Sequence, residues 1–247
     1  MAYRTGGRVG VMTQAEMKDK AARAAADLVK PGMRLGLGTG STVEFLLDEL
    51  GRRHVGDLSC VPTSKRTATR ASELGIKLLE PFEDFENLDL AIDGADEVSP
   101  EGHLIKGAGG AHLWEKLVAL AAHQFVVIVD ETKMVQRLGS LCPVPVEVIP
   151  FGWRQAFRAV REMLGAAPVR RMAGADQPYR TDSGNYLIDC RFKSIDVPAS
   201  LSAALKSLPG VVDSGLFINL ADRVLVGKRD GTVDTLRFEH ASIPQRS

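Results

Sequence analysis

A short apolar segment that ends in acidic residues limits the folds open to this chain. Residues 88–92 have the length and apolar content of a β-strand, and Asp93 and Asp96 follow them. Residues 103–105 predict a second short strand, which runs into the glycine-rich turn 106–111. Acids after one strand and a glycine turn after the next are typical of an open α/β sheet, in which ligands bind beyond the carboxyl ends of the strands.

The glycine turn opens a helix. Residues 112–122 have helical periodicity, and Glu115 is expected on this helix a little over two turns in. Asp93, Asp96, Lys106 and Glu115 would then meet in one crevice. There they would supply a general base, a cation and acids able to bind hydroxyl groups. Any one of them alone is more often a turn residue or a solvated side chain, so it is the clustering that favours a function.

A second turn, rich in glycine and hydroxyl residues, lies earlier in the chain. Residues 33–37 predict a strand, residues 43–50 predict a helix, and the turn between them is Gly38, Thr39, Gly40, Ser41 and Thr42. The backbone N–H groups, the positive end of the helix and the hydroxyls all suit a phosphate. The turn has no Walker lysine, and Ser41 replaces the third glycine of a dinucleotide fingerprint. It therefore predicts a phosphate site, with a purely structural turn as the alternative.

Composition limits the partners of the chain. Lysine plus arginine equals aspartate plus glutamate at 31 each, so no overall field attracts nucleic acid or a membrane surface. No apolar run approaches the roughly 20 residues of a membrane-spanning helix. An anionic ligand must therefore be held by local groups.

Histidine and cysteine give no sign of a metal or nucleophile site in the sequence. The histidines are scattered without metal-ligand spacing: His54, His103, His112, His123 and His240. The three cysteines are widely separated and lie in or beside apolar runs: Cys60, Cys142 and Cys190. Such cysteines predict buried, reduced thiols in a cytoplasmic protein.

Further strands extend the α/β pattern. Residues 58–61 and 76–79 predict two short strands, and the fully apolar residues 124–129 predict a strand in the buried middle of a parallel sheet. Lys133 follows that strand, and Lys18 lies near the start of a helix that opens with a capping box. Either lysine could be solvated, so the pattern alone does not assign them a ligand.

The character of the chain changes after residue 140. The predicted order is strand, helix, two strands, helix and strand, which is typical of a ferredoxin-like α+β unit. The first five of these elements are predicted at residues 144–149, 153–163, 169–172, 186–192 and 198–208. We see no concentrated polar cluster in this part of the sequence, and we expect it to be structural or to form a subunit interface.

The predicted fold class is α/β, with a Rossmann-like, mostly parallel sheet domain and a smaller ferredoxin-like α+β domain. Residues 1–11 are expected to be a flexible extension and residues 12–140 the catalytic domain. Residues 141–214 would form the small domain. Residues 215–247 would return to the catalytic domain and end in a tail.

The motifs, taken in order, closely resemble ribose-5-phosphate isomerase of the A type. They are Gly38-Thr-Gly-Ser-Thr-Val43, Asp93-Gly-Ala-Asp-Glu97, Lys106-Gly-Ala-Gly109 with Glu115-Lys116, and Pro145-Val-Glu-Val-Ile-Pro150. The resemblance extends over about residues 12 to 238. It implies interconversion of D-ribose 5-phosphate and D-ribulose 5-phosphate in the non-oxidative pentose phosphate pathway. It also implies no metal or organic cofactor, and assembly into homodimers or homotetramers.

The resemblance also implies a role for each motif. Glu115 would accept the proton, and Asp93, Asp96 and Lys106 would complete the catalytic group. The substrate-binding residues would be Thr39, Gly40, Ser41, Thr42, Asp93, Gly94, Ala95, Asp96, Lys106, Gly107, Ala108, Gly109, Lys133 and Lys18. Ala108 stands where the family more often has glycine or a longer residue, so the contact expected there is through the backbone.

Two other functions compete with this interpretation. A sugar-phosphate-binding regulatory module could use the same phosphate turn, but it usually carries a DNA-binding helix pair, for which neither end of this chain has room. An amino-sugar phosphate isomerase or deaminase of related fold would need a different set of acids and histidines.

Overall fold

A computed structural model describes residues 11–79 and 85–239 of the chain. The first half contains α1 (Gln14–Ala26), β1 (Arg34–Leu37), α2 (Ser41–Arg53), β2 (Ser59–Pro62), α3 (Lys65–Glu73), β3 (Leu90–Asp93), β4 (Glu97–Val98), β5 (Leu104–Ile105) and α4 (His112–Ala121). The second half contains β6 (Phe125–Asp130), a 3₁₀ turn (Glu131–Lys133), β7 (Val144–Val148), α5 (Trp153–Leu164), β8 (Ala167–Arg170), β9 (Tyr186–Arg191), α6 (Pro198–Lys206), β10 (Val211–Ser214), β11 (Leu216–Phe217), β12 (Arg223–Gly227) and β13 (Val233–Arg237).

The largest sheet has six strands in the order β13-β12-β6-β3-β1-β2. Neighbouring strands are parallel except for β13, which is antiparallel to β12. Every residue of β6 is buried, as expected for a strand in the middle of a parallel sheet. Helices α1, α2 and α3 contribute to one apolar cluster and α4 to another. The prediction of a Rossmann-like, mostly parallel sheet is confirmed.

The direction of winding changes beside β1. From β1 the chain passes through α2 to β2 on one side, whereas β3 lies on the other side of β1. In doubly wound sheets ligands bind at such a point, beyond the carboxyl ends of the two strands. Residues 38–42 follow β1 and residues 94–96 follow β3. The topology therefore brings the two predicted loops together.

The second unit has four strands in the order β10-β7-β9-β8, and all neighbours are antiparallel. Numbered within the unit, this is the order fourth, first, third, second, with α5 and α6 in the two crossovers. It is the ferredoxin-like arrangement that the element order predicts. Its core is apolar and includes Val146, Ile188, Cys190 and Leu205.

A small three-stranded sheet, β11-β5-β4, connects the two units. Lys106, directly after β5, donates its backbone N–H to Gly215 O at 2.9 Å, and Gly215 N–H donates to Pro145 O at 2.7 Å. A Cβ on Gly215 would lie 2.0 Å from Lys106 O and 2.8 Å from Pro145 Cδ. Glycine at this position lets three chain segments meet at the start of the predicted substrate loop.

Two local predictions were wrong. Residues 76–79 form no named strand and make only an isolated bridge between Leu78 and Cys60. Glu115 lies in the first turn of α4 and not a little over two turns in, although the helix does begin at the predicted His112. Residues 216–217 pair with β5, which lies within residues 12–140.

The predicted domain division is compatible with the sheets but stays a proposal. We propose residues 12–140, 141–214 and 215–239 as the units, since β7 to β10 form the small sheet and β12 and β13 rejoin the large one. Residues 1–10 of the predicted extension 1–11, and residues 240–247 of the predicted tail, with His240, lie outside the described residues.

The junction at Gly215 leads to a testable prediction. We expect Gly215→Ala to lower the free energy of unfolding by at least about 2 kcal/mol, because overpacking against backbone cannot be relieved by rotating a side chain. Gly174→Ala is the matched control, since a Cβ there meets nothing within 4 Å. The control should change stability by less than about 1 kcal/mol. Equal unfolding midpoints in urea for the two variants would contradict the close approach.

Candidate active site

A cavity of about 270 Å³ opens at the carboxyl ends of β1 and β3. Its lining includes every residue predicted for the site except Asp93, which is buried 3.0 Å from the cavity-lining Lys106. Arg66 also lines the cavity and was not among the predicted residues. The structure therefore brings the glycine–hydroxyl turn, the acidic loop, the glycine loop and Glu115 around one space.

One wall of the cavity is suited to an anion. Helix α2 begins at Ser41, and its N-cap is Gly40, whose φ of 138° belongs to a region that favours glycine. No side chain caps the helix, so backbone N–H groups of its first turn remain available. Lys18 Nζ donates to Ser41 Oγ at 2.9 Å, and Lys133 lines the same cavity. Positive groups thus gather at the predicted phosphate turn.

Thr39 supports the turn through its side chain. Its Oγ1 shares hydrogen bonds of 2.8, 2.8 and 3.0 Å with the hydroxyls of Thr63, Ser64 and Thr67. Thr67 Oγ1 in turn donates to Gly38 O at 2.8 Å. The sequence predicts the Thr39 hydroxyl as a possible ligand donor, whereas in the structure its contacts with three other hydroxyls hold the turn in place.

The site also contains a buried cluster of three ionisable side chains. Lys106 Nζ lies 3.0 Å from Asp93 Oδ2 and 3.2 Å from Glu115 Oε2, and all three side chains are almost completely buried. Lys106 also donates to Gly94 O at 2.5 Å. Asp93 Oδ1 accepts from the backbone N–H of Thr39 at 3.0 Å and of Gly94 at 2.7 Å. Asp93 therefore links the glycine–hydroxyl turn to the buried charged cluster.

Burial sets the ionisation of this cluster. It raises the pKa of Glu115 to about 8, with a further contribution from the nearby negative charge of Asp93, and Lys106 opposes the rise. Burial also raises the pKa of Asp93, again against Lys106. Burial alone would lower the pKa of Lys106, but Asp93 and Glu115 together raise it above its usual value. The site therefore holds a charged lysine beside the carboxyl of Glu115, which can both bind and release a proton near neutral pH.

The glycine loop is held from both sides. Ala108 N–H donates to Asp96 Oδ2 at 2.9 Å, so this N–H group already has an acceptor within the protein. Arg171, which follows β8 of the small domain, donates to the carbonyls of Gly107 and Ala108. Tyr179 OH donates to Gly109 O at 3.2 Å. The expectation that the small domain brings no polar cluster was therefore wrong.

A second buried polar group lies under the glycine loop. His112 Nε2 is 3.8 Å from Glu147 Oε2, and both side chains are buried. Burial lowers the pKa of His112 to about 3 and raises that of Glu147, so the imidazole is neutral at working pH. Gly107, with a φ of 105°, passes directly over the ring, where a Cβ would lie 2.8 Å from His112 Nδ1. The His112 ring therefore packs directly against the loop and supports it from below.

The cysteines lie apart from this cavity. Cys60, Cys142 and Cys190 are free thiols, and Cys142 is only partly buried, contrary to expectation. Burial raises the pKa of Cys60 to about 12 and also raises the pKa values of Cys142 and Cys190. Within residues 11–79 and 85–239, no three His, Cys, Asp or Glu side chains are grouped so that they could hold a metal ion. In the same part of the chain no helix is long and apolar enough to cross a membrane.

Sequence comparison identifies the family. The sequence profile of ribose 5-phosphate isomerase A, also called phosphoriboisomerase A, matches residues 59–231. The ribose-5-phosphate isomerase A of Thermosynechococcus vestitus is 49% identical over 217 residues, which cover 86% of this chain and 92% of that protein. This chain belongs to the ribose-5-phosphate isomerase A family. The resemblance drawn from the motifs is thereby confirmed.

Solved structures of ribose-5-phosphate isomerases have the same fold. The enzyme of Methanocaldococcus jannaschii is 40% identical, with a TM-score of 0.84 over 91% of this chain and 100% of that one. The Neisseria gonorrhoeae enzyme is 34% identical, with a TM-score of 0.86 over 93% and 100%. A D-ribose-5-phosphate isomerase in complex with phospho-erythronic acid is 38% identical, with a TM-score of 0.86 over 92% and 100%.

Two arginines, one that lines the cavity and one that binds the glycine loop, were not predicted from the sequence. Arg66 lies in the first turn of α3, where an arginine is usually solvated, so nothing marked it. Arg171 lies 64 residues from its acceptor Gly107, in a part of the chain expected to be structural. Neither contact has a local sequence signal, because both depend on how distant elements pack.

Proposed function

We propose that this chain interconverts D-ribose 5-phosphate and D-ribulose 5-phosphate, with Glu115 as the carboxylate that moves the proton between C2 and C1. The reaction is an aldose–ketose isomerisation of the non-oxidative pentose phosphate pathway. One observation supports it most: Glu115 lies at the cavity wall, buried and 3.2 Å from the charged Lys106. A base beside a fixed cation is the pairing that an enediolate intermediate requires.

The phosphate of the substrate would bind at the turn that opens α2. Its charge is complemented by the N-terminus of that helix and by the hydroxyls of Ser41 and Thr42. Lys18 and Lys133 add positive charge at the same cavity. Binding energy gained at this remote group holds the sugar in place and so is used for orientation of the reacting carbons.

The sugar hydroxyls would meet the loop after β3. Asp96 lines the cavity and accepts from Ala108 N–H, while Gly94 and Ala95 present their backbone beside it. Asp93 and Asp96 are the acids available to assist ring opening, which must precede isomerisation because only the open chain has an aldehyde. Asp93 would act through Lys106, since its own side chain is buried behind that residue.

The chemical step moves one carbon-bound proton. Glu115 takes the proton from C2, the C2–H electron pair becomes the C1=C2 double bond, and O1 of the former aldehyde becomes an oxyanion. The proton on O2 then passes to O1, and Glu115 returns its proton to C1 as the C2=O bond forms. Atoms and charge balance without any external oxidant or reductant.

The enediolate carries its negative charge where the cavity is positive. Lys106 is kept charged by its two carboxylate partners, and the glycine loop offers backbone N–H groups. Donors fixed in advance in a shielded site stabilise such an oxyanion more than water does. The bound phospho-erythronic acid of the 38% identical relative suits this view, because its carboxylate matches an enediolate in charge and planarity.

The alternative functions are not favoured. A binding module has no need of a buried base with a pKa raised to about 8 beside a lysine. An amino-sugar deaminase would need a histidine at the cavity, and the residues described around it include none.

We also propose a cytoplasmic homodimer or homotetramer. Reduced cysteines without disulfides suit the cytoplasm. The small domain exposes several large apolar side chains, namely Phe151, Met163, Val169 and Val197. Apolar side chains of this kind are often covered by another subunit.

The ionisation of Glu115 leads to a pH prediction. The base acts only when deprotonated, and its pKa in the free enzyme is raised to about 8. We therefore expect kcat/KM to rise about tenfold per pH unit below about pH 8 and to level off above it. Initial rates between pH 6.5 and 9.5, above the second pKa of the phosphate at about 6, would measure this. A profile that is flat over this range would contradict the raised pKa.

Replacing the base tests the function itself. We expect Glu115→Gln to lower kcat by about 100- to 10,000-fold, the usual contribution of a positioned general base. Phospho-erythronic acid should still bind to this variant, because the phosphate wall is untouched. Glu162→Gln, on the exposed face of α5, is the matched control and should keep full activity. Normal turnover by Glu115→Gln would overturn the assignment of the base.

Arg66 provides a separate test of the phosphate wall. We expect Arg66→Ala to raise KM for ribose 5-phosphate about 3- to 10-fold, with kcat within about twofold, because an exposed guanidinium adds a modest charge-assisted contact. Arg70→Ala is the control, since Arg70 lies one turn further along α3 and pairs with Asp48. An unchanged KM in Arg66→Ala, or an equal rise in Arg70→Ala, would remove Arg66 from the phosphate site.

A further inference from the structure

Three consecutive carbonyl groups of the glycine loop are bound by side chains of the small domain. Arg171 Nη1 donates to Gly107 O at 2.9 Å and to Ala108 O at 3.0 Å. Tyr179 OH donates to Gly109 O at 3.2 Å. The loop that passes over the catalytic cavity is thus oriented by a different structural unit from the one that carries Glu115.

Arg171 is itself held firmly. Asp189, on the central part of β9, accepts from Arg171 Nε at 2.9 Å and from Nη2 at 2.5 Å. The guanidinium also lies 5.7 Å from the centre of the Tyr179 ring, and Tyr179 N–H donates to Arg171 O at 3.0 Å. A two-pronged pairing of a planar guanidinium with a carboxylate fixes both the position and the plane of the group. Little freedom remains for the end that touches the loop.

Peptide geometry transmits this orientation to the cavity. In a trans peptide the N–H points opposite to the C=O. Holding Gly107 O and Ala108 O toward the small domain therefore turns the N–H groups of Ala108 and Gly109 the other way. Ala108 N–H does reach the cavity-lining Asp96, at 2.9 Å. Gly109 N–H has no acceptor in the described part of the chain, and Gly109 lines the cavity, so this donor is available to a ligand.

From these contacts we propose that Arg171, fixed by Asp189 and Tyr179, is a positioning residue that aims the Gly109 N–H at the enediolate oxygen. The inference rests on the proposed isomerase reaction and adds a role for the small domain in it. Arg171 does not touch the substrate and acts through the peptide groups it binds. The close packing of the glycine loop against Tyr179 supports this role, because a Cβ on Gly110 would lie 2.3 Å from Tyr179 OH.

The test separates the enediolate end of the site from the phosphate end. Arg171→Met keeps an unbranched, flexible side chain but replaces the guanidinium by apolar atoms, and so it removes the hydrogen bonds of the Arg171 side chain. We expect kcat to fall about 10- to 100-fold, less than the loss of a whole oxyanion donor, while KM changes less than about threefold. The affinity for phospho-erythronic acid should fall at least about tenfold, and that for inorganic phosphate should stay within about twofold. Arg171→Lys should fall between the wild type and Arg171→Met.

The matched control is Arg170→Met. Arg170 is the neighbouring residue, but its guanidinium lies 4.5 Å from the centre of the Trp153 ring, and no hydrogen bond or ion pair within residues 11–79 and 85–239 joins it to the loop. This variant should keep both ligand affinities and kcat. If Arg171→Met does not fold, Tyr179→Phe serves in its place. We expect Tyr179→Phe to lower kcat about 2- to 5-fold. Its affinity for phospho-erythronic acid should fall, and its affinity for inorganic phosphate should not.

Other outcomes would overturn the proposal. Unchanged kcat and unchanged affinity for phospho-erythronic acid in Arg171→Met, or in Tyr179→Phe if it stands in, would remove the positioning role. An equal loss of affinity for both ligands would show general damage to the site instead. The binding measurements need no turnover, so they test Arg171 even if the wild-type chain fails to isomerise ribose 5-phosphate. Failure of the wild-type chain to isomerise would refute the proposed function, whereas an unchanged affinity for phospho-erythronic acid in Arg171→Met would refute this inference alone.

Discussion

The buried contact of Lys106 with Asp93 and Glu115 is the constraint on which the site depends. The three residues come from the end of β3, the end of β5 and the first turn of α4, so the contact joins three separate segments. Burying one cation with two acids costs free energy of desolvation that is recovered only when the groups remain paired. The pairing in turn keeps Lys106 charged and leaves Glu115 as the acid that gives up its proton near neutral pH. The same contact therefore determines both how these three segments pack and how Glu115 would react.

The raised pKa of Glu115 has a cost in stability. The pKa is about 8 in the folded chain, against a reference value of 4.5. Between these values the folded state binds more protons than the unfolded state, so this group contributes less to stability as pH rises from 4.5 through about 8. Above about pH 8 the fold must hold a charged carboxylate that is costly to bury, and this is the form in which Glu115 would act as the proposed base.

Much of the site could be predicted because its signals are local. A strand that ends in Asp93 and Asp96, and glycine turns that open helices, are short patterns with direct physical meaning. The switch in winding beside β1 then brings them together without further information. The strand predicted at residues 76–79 was wrong for the opposite reason, because a short apolar run becomes a strand only if a neighbouring strand pairs along its whole length. The start of α4 at His112 agrees with the sequence pattern, but Glu115 was placed too far along the helix, since the fourth residue of a helix lies in its first turn.

The support from the small domain could not be predicted from the sequence. Arg171 and Asp189 meet across two antiparallel strands, and their joint contact with the glycine loop depends on how two units pack. Arg66 enters the cavity only because α3 follows β2 beside the phosphate turn. Such contacts join residues tens of positions apart, and the composition around each of them is ordinary.

The central claim is that Glu115 carries the proton between C2 and C1. Its most direct test is the rate at which deuterium from heavy water enters C1 of ribulose 5-phosphate, followed by nuclear magnetic resonance. We predict that the wild-type chain forms product labelled at C1, and that Glu115→Gln incorporates label at least about 100-fold more slowly. Labelling of C1 by Glu115→Gln at the wild-type rate would contradict the account.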